Sequence, residues 1–450
     1  MIDVIKNAFG KLFSKVSCNY EKCLTIYLIV NVIWIFFGMF FCSYMNFSYQ
    51  DVSTSYVLLF ILNIIFVFLL LFFKKIKFDK LDIFLLGLVV CGFISTIFSI
   101  NSSVSIYGFY KRYEGFIQLL YYYSLMYLSS FIISNKCKKC VIYFILFFGL
   151  VNSFFSFLQV FDILKFIPVN HRGTTFAQAL TVNSNFFGSY MVLCLGLSIG
   201  IFLYSKKVKS VEFFVSLFLC LCFFSSLLMS NAMSGIVGLF FIFICIFIYF
   251  IYMCIKKNNI KNNIFRYSIL FVSFILVFLC LSCYNKTVIG KDIINFSKET
   301  TEMVKGNVSD SYGSFRIYVW RNTLKIVPKN LIHGVGIDCF FYAFGFEPLI
   351  AEFSSNEAVF FDKAHNEYLQ KLICEGAFSC LIYIGMLFYI FICSVKKIFK
   401  ENNYIAISLF LSFIGYSIQA FFNISVIEVA PLFWITIGLL YDRKFRNLKN

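Results

Sequence analysis

The run DKAHNEYLQKLICEG, residues 362–376, sets a histidine where a long polar segment gives way to an apolar one. Histidine takes up or releases a proton near neutral pH, and at a membrane boundary it does so without being buried in lipid. The chain holds three histidines, so His365 is a candidate for proton chemistry. Positions 365, 369, 372 and 376 share one helical face, which would stand His365 above a stripe ending in Gly376. The other two histidines are less pointed. His171 abuts Arg172 in a polar stretch, and His333 opens HGVG, where Gly334 and Gly336 mark a tight turn because no Gly-Lys-Ser/Thr follows. The acids Glu347, Glu352, Glu357 and Asp362 match no metal-ligand spacing and read as a solvated face.

Arginine offers a second chemistry, since its planar guanidinium stays charged and grips phosphate through a fork of N–H donors. Three segments carry it: YKRYEGF (110–116) with Arg112, HRGTTFAQALTVNSNFFGSY (171–190) with Arg172, and SFRIYVWRNTLKIV (314–327) with Arg316 and Arg321. Several arginines on one face suit a phosphorylated substrate. Taken singly, each also fits a contact with lipid phosphates, and Lys111, Arg112 and Glu114 could form a local ion pair.

The elements that must hold these residues are transmembrane helices. With 450 residues, 60% hydrophobic, 21% aromatic, 14% charged and a mean hydropathy of +0.85, the chain carries more apolar side chains than one water-soluble core could bury. Apolar runs of about 20 residues without alternation predict helices, because lipid offers no partner to a free backbone N–H or C=O. The fold class is an all-α polytopic membrane protein with about twelve transmembrane helices. They are expected near 24–45, 56–73, 83–100, 116–134, 141–160, 184–204, 211–230, 236–255, 267–285, 369–394, 404–422 and 427–441.

The net charge of +17 is a topology signal. Basic clusters fall in every second gap, at the N-terminus, KKIKFDK, NKCKKC, SKKVK, KKNNIKNNIFR, KKIFK and the tail DRKFRNLK. By the positive-inside rule that side is cytoplasmic, with both termini. Nucleic-acid binding is excluded as the meaning of the charge. Most of the 17 cysteines lie in apolar runs, and the Cys137–Cys140 pair, read as loop, has no second pair to complete a zinc site. The organisation is then residues 1–285 with nine spans, an extracytoplasmic loop subdomain at 286–368, and residues 369–450 with three spans and a basic tail. The loop is too long for a simple connection. Within it, Ile317, Trp320, Leu324 and Val327 have helical spacing, with Ser314 as a possible N-cap and Pro328 closing a surface helix.

Four patches in one order resemble a known family. AHNEYLQKLICEGAF (364–378) is similar to the His-Asn motif of the O-antigen ligase and polymerase (Wzy-like) superfamily of bacterial membrane glycosyltransferases. SFRIYVWRNTLKIV followed by HGVGIDCF resembles its Arg-aromatic-Trp helix and glycine turn; RGTTF with NSNFFGSY resembles its Arg loop and Asn-Pro-Asn helix start; KRYEGF resembles its Arg-x-x-Gly segment. Ser184 stands where the family usually has Pro, Glu375 directly precedes Gly376, and Ala232 to Ser234 lack a Ser-Arg pair common there.

The resemblance implies a GT-C-like fold and transfer of a glycan from an undecaprenyl-diphosphate carrier to an acceptor hydroxyl at the outer face of the bacterial cytoplasmic membrane. It implies His365 as the base, Arg172, Arg316, Arg112 and Arg321 on the diphosphate, and Asn366, Trp320, Asn183 and Asn185 in support. It further implies inversion at the anomeric carbon, with no metal and no cofactor. Partners are then the carrier-linked glycan, a glycan or lipid-glycan acceptor and the bilayer. Two other classes fit twelve spans: a transporter or flippase of lipid-linked glycans, and a non-catalytic glycan-lipid scaffold. Carriers built of two halves usually have a long cytoplasmic connection between them, whereas SKKVK is short and the long loop lies outside.

Overall fold

A computed structural model of the chain describes residues 2–44, 48–73, 78–163, 176–204, 208, 210–256, 260–345, 361–401, 403–441 and 443. Among them there is no β-strand. The helices in chain order are α1 (Ile2–Tyr44), α2 (Tyr49–Phe73), α3 (Lys80–Ile97), α4 (Ser102–Tyr107), α5 (Phe116–Ser129), α6 (Asn135–Val160), α7 (Ser184–Tyr204) and α8 (Val211–Ser230). Then follow α9 (Met233–Ile255), α10 (Ile260–Cys283), α11 (Ile289–Val304), α12 (Arg316–Ile326), α13 (Phe340–Phe344), α14 (Glu367–Glu401), α15 (Tyr404–Gln419) and α16 (Ala430–Leu440). Ten described helices are long and apolar enough to cross a membrane. The chain is a multi-pass membrane protein.

All twelve expected spans are helical, but two are short. α5 has 14 residues and α16 has 11, lengths of about 21 and 17 Å at the usual rise, against a hydrocarbon core of about 30 Å. They pack against each other. The apolar runs that suggested longer spans include Phe131 to Ile133 and Ile427 to Val429, which are not helical. The Cys137–Cys140 pair lies in the first turns of α6 and not in a loop.

α7 is the central helix, buried from Phe186 to Leu203. It packs closely on α15, whose Ser412 hydroxyl donates to the Leu193 carbonyl at 2.8 Å. Small residues allow such close approach where lipid supplies no hydrophobic drive. Described residues of several of the basic gaps meet at one end of the bundle. There Glu21 accepts from the Ser134 N–H at 3.2 Å, Lys139 pairs with Glu212, the Tyr441 hydroxyl donates to Asp79 at 2.6 Å, and Arg443 pairs with Asp82.

The opposite end carries the candidate site, and a break in α14 shapes it. At Gly376 the helix is interrupted, with φ 85° and ψ 173°. A broken helix in apolar surroundings leaves backbone groups that need partners. The 331–336 turn supplies them. Val335 and Gly336 N–H donate to the Ile373 and Cys374 carbonyls at 3.0 Å each, and Ala377 N–H donates to the Leu331 carbonyl at 2.7 Å. Gly334, with φ 73°, lies so close that a Cβ would sit 2.2 Å from the Cys374 carbonyl oxygen. The HGVG stretch is thus a turn fitted to α14, with its Val335 and Gly336 N–H groups occupied by α14 carbonyls.

α12 departs from its expected face. Val319 and Thr323 are buried, whereas Leu324 is 56% exposed. The reason is that Val319 and Val327 join a small core with Val335, Phe340, Ala364 and Ile373, so the helix buries one stripe against protein. Ser314 does not cap it. Ser314 and Phe315 both take left-handed backbone, and no side chain caps the helix start.

Candidate functional site

The segment 361–366 enters α14 and carries His365, whose φ is 52°. Asn366 accepts the Leu369 N–H at 2.9 Å, so it caps the first turn of α14. Ala364, the residue before His365, is pinned from both sides. Ala364 N–H donates to Gln370 Oε1 at 2.8 Å, and the Trp320 Nε1–H donates to the Ala364 carbonyl at 3.0 Å. His365 Nδ1 lies 2.9 Å from the Lys363 carbonyl. A carbonyl only accepts, so Nδ1 carries the proton, and in the neutral ring Nε2 is left as an acceptor. The Phe361 ring stands edge-on, 6.3 Å away.

Two of the four expected arginines join it. Arg112 makes a two-point contact with Asp362, Nε to Oδ2 at 2.6 Å and Nη2 to Oδ1 at 3.1 Å, and its guanidinium lies 5.5 Å from the Phe186 ring of α7. Arg112 therefore pairs across 250 positions, not locally with Glu114. Arg316 differs in kind. Its Nε donates to the Phe422 carbonyl at 2.9 Å and its Nη1 to the Gly313 carbonyl at 2.7 Å, and it makes no ion pair among the described residues. A partly buried guanidinium held only by carbonyls keeps its charge open to an anion.

The charges act on one another. Burial pushes the His365 pKa below the ordinary histidine value; its contact with the Lys363 carbonyl and the charge of Asp362 oppose this, while Arg316 and Arg112 add to it. Burial alone would raise Asp362, but the Arg112 hydrogen bond and charge hold its carboxyl below the usual range. Burial also lowers Arg316.

The remaining expected residues stand apart or support. Arg321 pairs with Asp310 at 2.7 Å, both about half exposed at 47% and 48%, so it faces the rim. Arg172 lies outside the described residues. Asn183 Oδ1 accepts the Asn185 N–H at 2.8 Å and its carbonyl accepts from Phe186 and Phe187, which fixes the start of α7 next to Arg112. The Asn185 carbonyl accepts from Asn423 Nδ2 at 3.1 Å. Trp320 braces His365 through Ala364 and packs 5.6 Å from the Phe421 ring.

Sequence reasoning missed the layer beneath. Lys363 is 3% exposed, pairs with Glu114, and lies 3.5 Å from Asp338. Deeper, Lys371 contacts both Glu375 oxygens at 2.7 and 2.8 Å and the Tyr123 hydroxyl at 3.0 Å, and the Tyr383 hydroxyl donates to Glu367 at 2.6 Å. These side chains line a cavity of about 70 Å³, enough for several waters. The signal available was Lys371 and Glu375 at i,i+4 where an apolar span begins, since ionisable residues at such depth need partners.

At one end of the bundle, then, a histidine stands near an arginine that has no carboxylate partner among the described residues. Residues 217–384, which include Arg316, Trp320 and His365, match the family model described as O-Antigen ligase. Over this stretch the chain is similar to the O-antigen ligase family. No curated protein matches the chain.

Proposed function

We propose that the protein transfers a glycan from an undecaprenyl-diphosphate carrier to an acceptor hydroxyl at the outer face of the bacterial cytoplasmic membrane. The observation that carries this is the pairing of a histidine whose Nε2 is left as an acceptor with an arginine that has no carboxylate partner among the described residues. His365 Nε2 takes the acceptor hydroxyl proton as its oxygen attacks the anomeric carbon. The bond from that carbon to the diphosphate oxygen breaks, and the electron pair leaves with the diphosphate. Arg316 meets the developing charge, with Arg112 beside it. Attack opposite the leaving group inverts the anomeric centre, and this route assigns no step to a metal. The outer-face assignment rests on the basic gaps gathering at the bundle end opposite His365.

Deleting the protein from its host tests the reading. Surface glycan should be lost or shortened while carrier-linked glycan accumulates on the outer face. Accumulation on the cytoplasmic face would instead mark a flippase and overturn the assignment.

A further inference from the structure

Three chain segments that are remote in sequence meet beneath the site: the 108–115 loop with Arg112, the 334–338 turn with Asp338, and the 361–366 segment with Asp362 and His365. Asp338 Oδ2 closes the first of these on itself, accepting the Phe109 N–H at 2.7 Å and the Glu114 N–H at 3.3 Å. Glu114 is held further by the Tyr122 hydroxyl at 2.9 Å and the Ser425 hydroxyl at 2.8 Å.

The first and third segments are joined twice. Arg112 reaches Asp362, and Glu114 reaches Lys363. A single ion pair lets two loops pivot about it, whereas two pairs of opposite polarity, one and two residues along, fix orientation as well as separation. The second pair is the buried one, with side chains 4% exposed on both partners, so solvent screens it little. Burial alone would lower the Lys363 pKa; Asp338 and Glu114 outweigh it, so the ammonium stays charged. The backbone of the same residue supplies the carbonyl that holds the His365 Nδ1 proton.

We propose that Lys363 is a positioning residue for glycan transfer: bolted between Glu114 and Asp338, it sets the spacing of Arg112 and His365 and presents the carbonyl that keeps His365 Nε2 free. This rests on the reading of His365 as base. The charged groups facing His365 are Arg316 from α12, Arg112 from the 108–115 loop, and Asp362 beside it. Loosening the bolt hydrates the imidazole and moves it from the two arginines, so its pKa rises toward the ordinary value.

The experiment uses purified full-length protein in detergent, with membranes of the deletion host supplying carrier-linked glycan and acceptor together. Transfer rate is measured from pH 5 to 9 for wild type, Lys363→Arg, Glu114→Gln, the double variant Lys363→Met/Glu114→Gln, and His365→Ala, each normalised to folded protein. The double variant is expected to lose roughly 100-fold in rate, the scale of a misplaced catalytic group. The acid limb of its pH profile should move to higher pH, while Lys363→Arg recovers most of the rate and the wild-type limb. Glu114→Gln is isosteric, keeps its hydroxyl partners, and should lose about tenfold with the limb moved the same way. It decides the matter alone if the double variant does not accumulate. Wild-type rate in Glu114→Gln and the double variant, or lost rate with an unmoved limb, overturns the proposal. Full activity of His365→Ala overturns the underlying reading instead, whatever the Lys363 variants do.

Discussion

Replacing Arg316 by Met separates catalysis from stability more sharply than any other change at this site. The guanidinium is partly buried and, among the described residues, donates only to the Phe422 and Gly313 carbonyls, so on folding its charge loses water without gaining a carboxylate from them. Losing those charge-assisted bonds costs about 1.5–3 kcal/mol each. Removing an unpaired, desolvated charge returns a few kcal/mol of the same order. The two terms oppose, and a net change within about 1 kcal/mol corresponds to a Tm shift of only a few degrees. The transition state has no such compensation. One lost donor to a developing oxyanion costs about 10²–10³ in rate, or about 2.7–4 kcal/mol. Arg316→Lys keeps the charge but not the fork and should fall between, near tenfold. The assay is glycan transfer by purified variants beside thermal unfolding in the same detergent. Transfer by Arg316→Met within about threefold of wild type would refute the leaving-group role. So would a rate loss that merely tracks a collapsed Tm.

Transfer by the wild-type protein should fall as pH drops through a value below the ordinary histidine pKa of about 6.5, because burial depresses His365. The same depression makes its contribution to stability fully present above about pH 6.5 and lost as pH falls, which pH-dependent unfolding reads. In Asp362→Asn the charge that raises His365 is gone and Arg112 loses its two-point partner. The acid limb should shift to still lower pH and the rate should drop about tenfold. Gly376→Ala would place a Cβ 2.4 Å from the Ile332 carbonyl oxygen at φ 85° and should destabilise by more than about 3 kcal/mol. Gly385→Ala, whose Cβ meets Phe84 at an ordinary 3.5 Å, should change stability by less than about 1 kcal/mol in the same thermal assay. Arg321→Ala breaks an exposed pair with Asp310 worth at most about 1 kcal/mol, and its rate loss should be at least tenfold smaller than that of Arg316→Met.

The helical bundle was legible because apolar runs long enough to cross a membrane admit few other structures. Helix ends were not, as α5 and α16 show: the expected spans took in Phe131 to Ile133 and Ile427 to Val429, while the backbone there is not helical. His365, Arg112 and Arg316 stood out by type and position. Their partners did not, because Asp362 lies 250 positions from Arg112 and Lys363 lies 249 from Glu114, and no local spacing encodes such pairs. The resemblance placed Asn366 only in support, and its role as helix cap appears once its Oδ1 is seen to accept the Leu369 N–H. The HGVG turn could be read as a turn but not as the partner of a broken helix, since the break becomes visible only when Gly334 and Gly376 are brought together.

The most direct measurement is single-turnover transfer from carrier-linked glycan by purified His365→Gln, compared with wild type at pH 7.5. Removing a positioned general base should slow the step by about 10²–10⁴ while donor binding, set by the arginines, stays within a few-fold. Transfer at the wild-type rate would contradict the account at its centre.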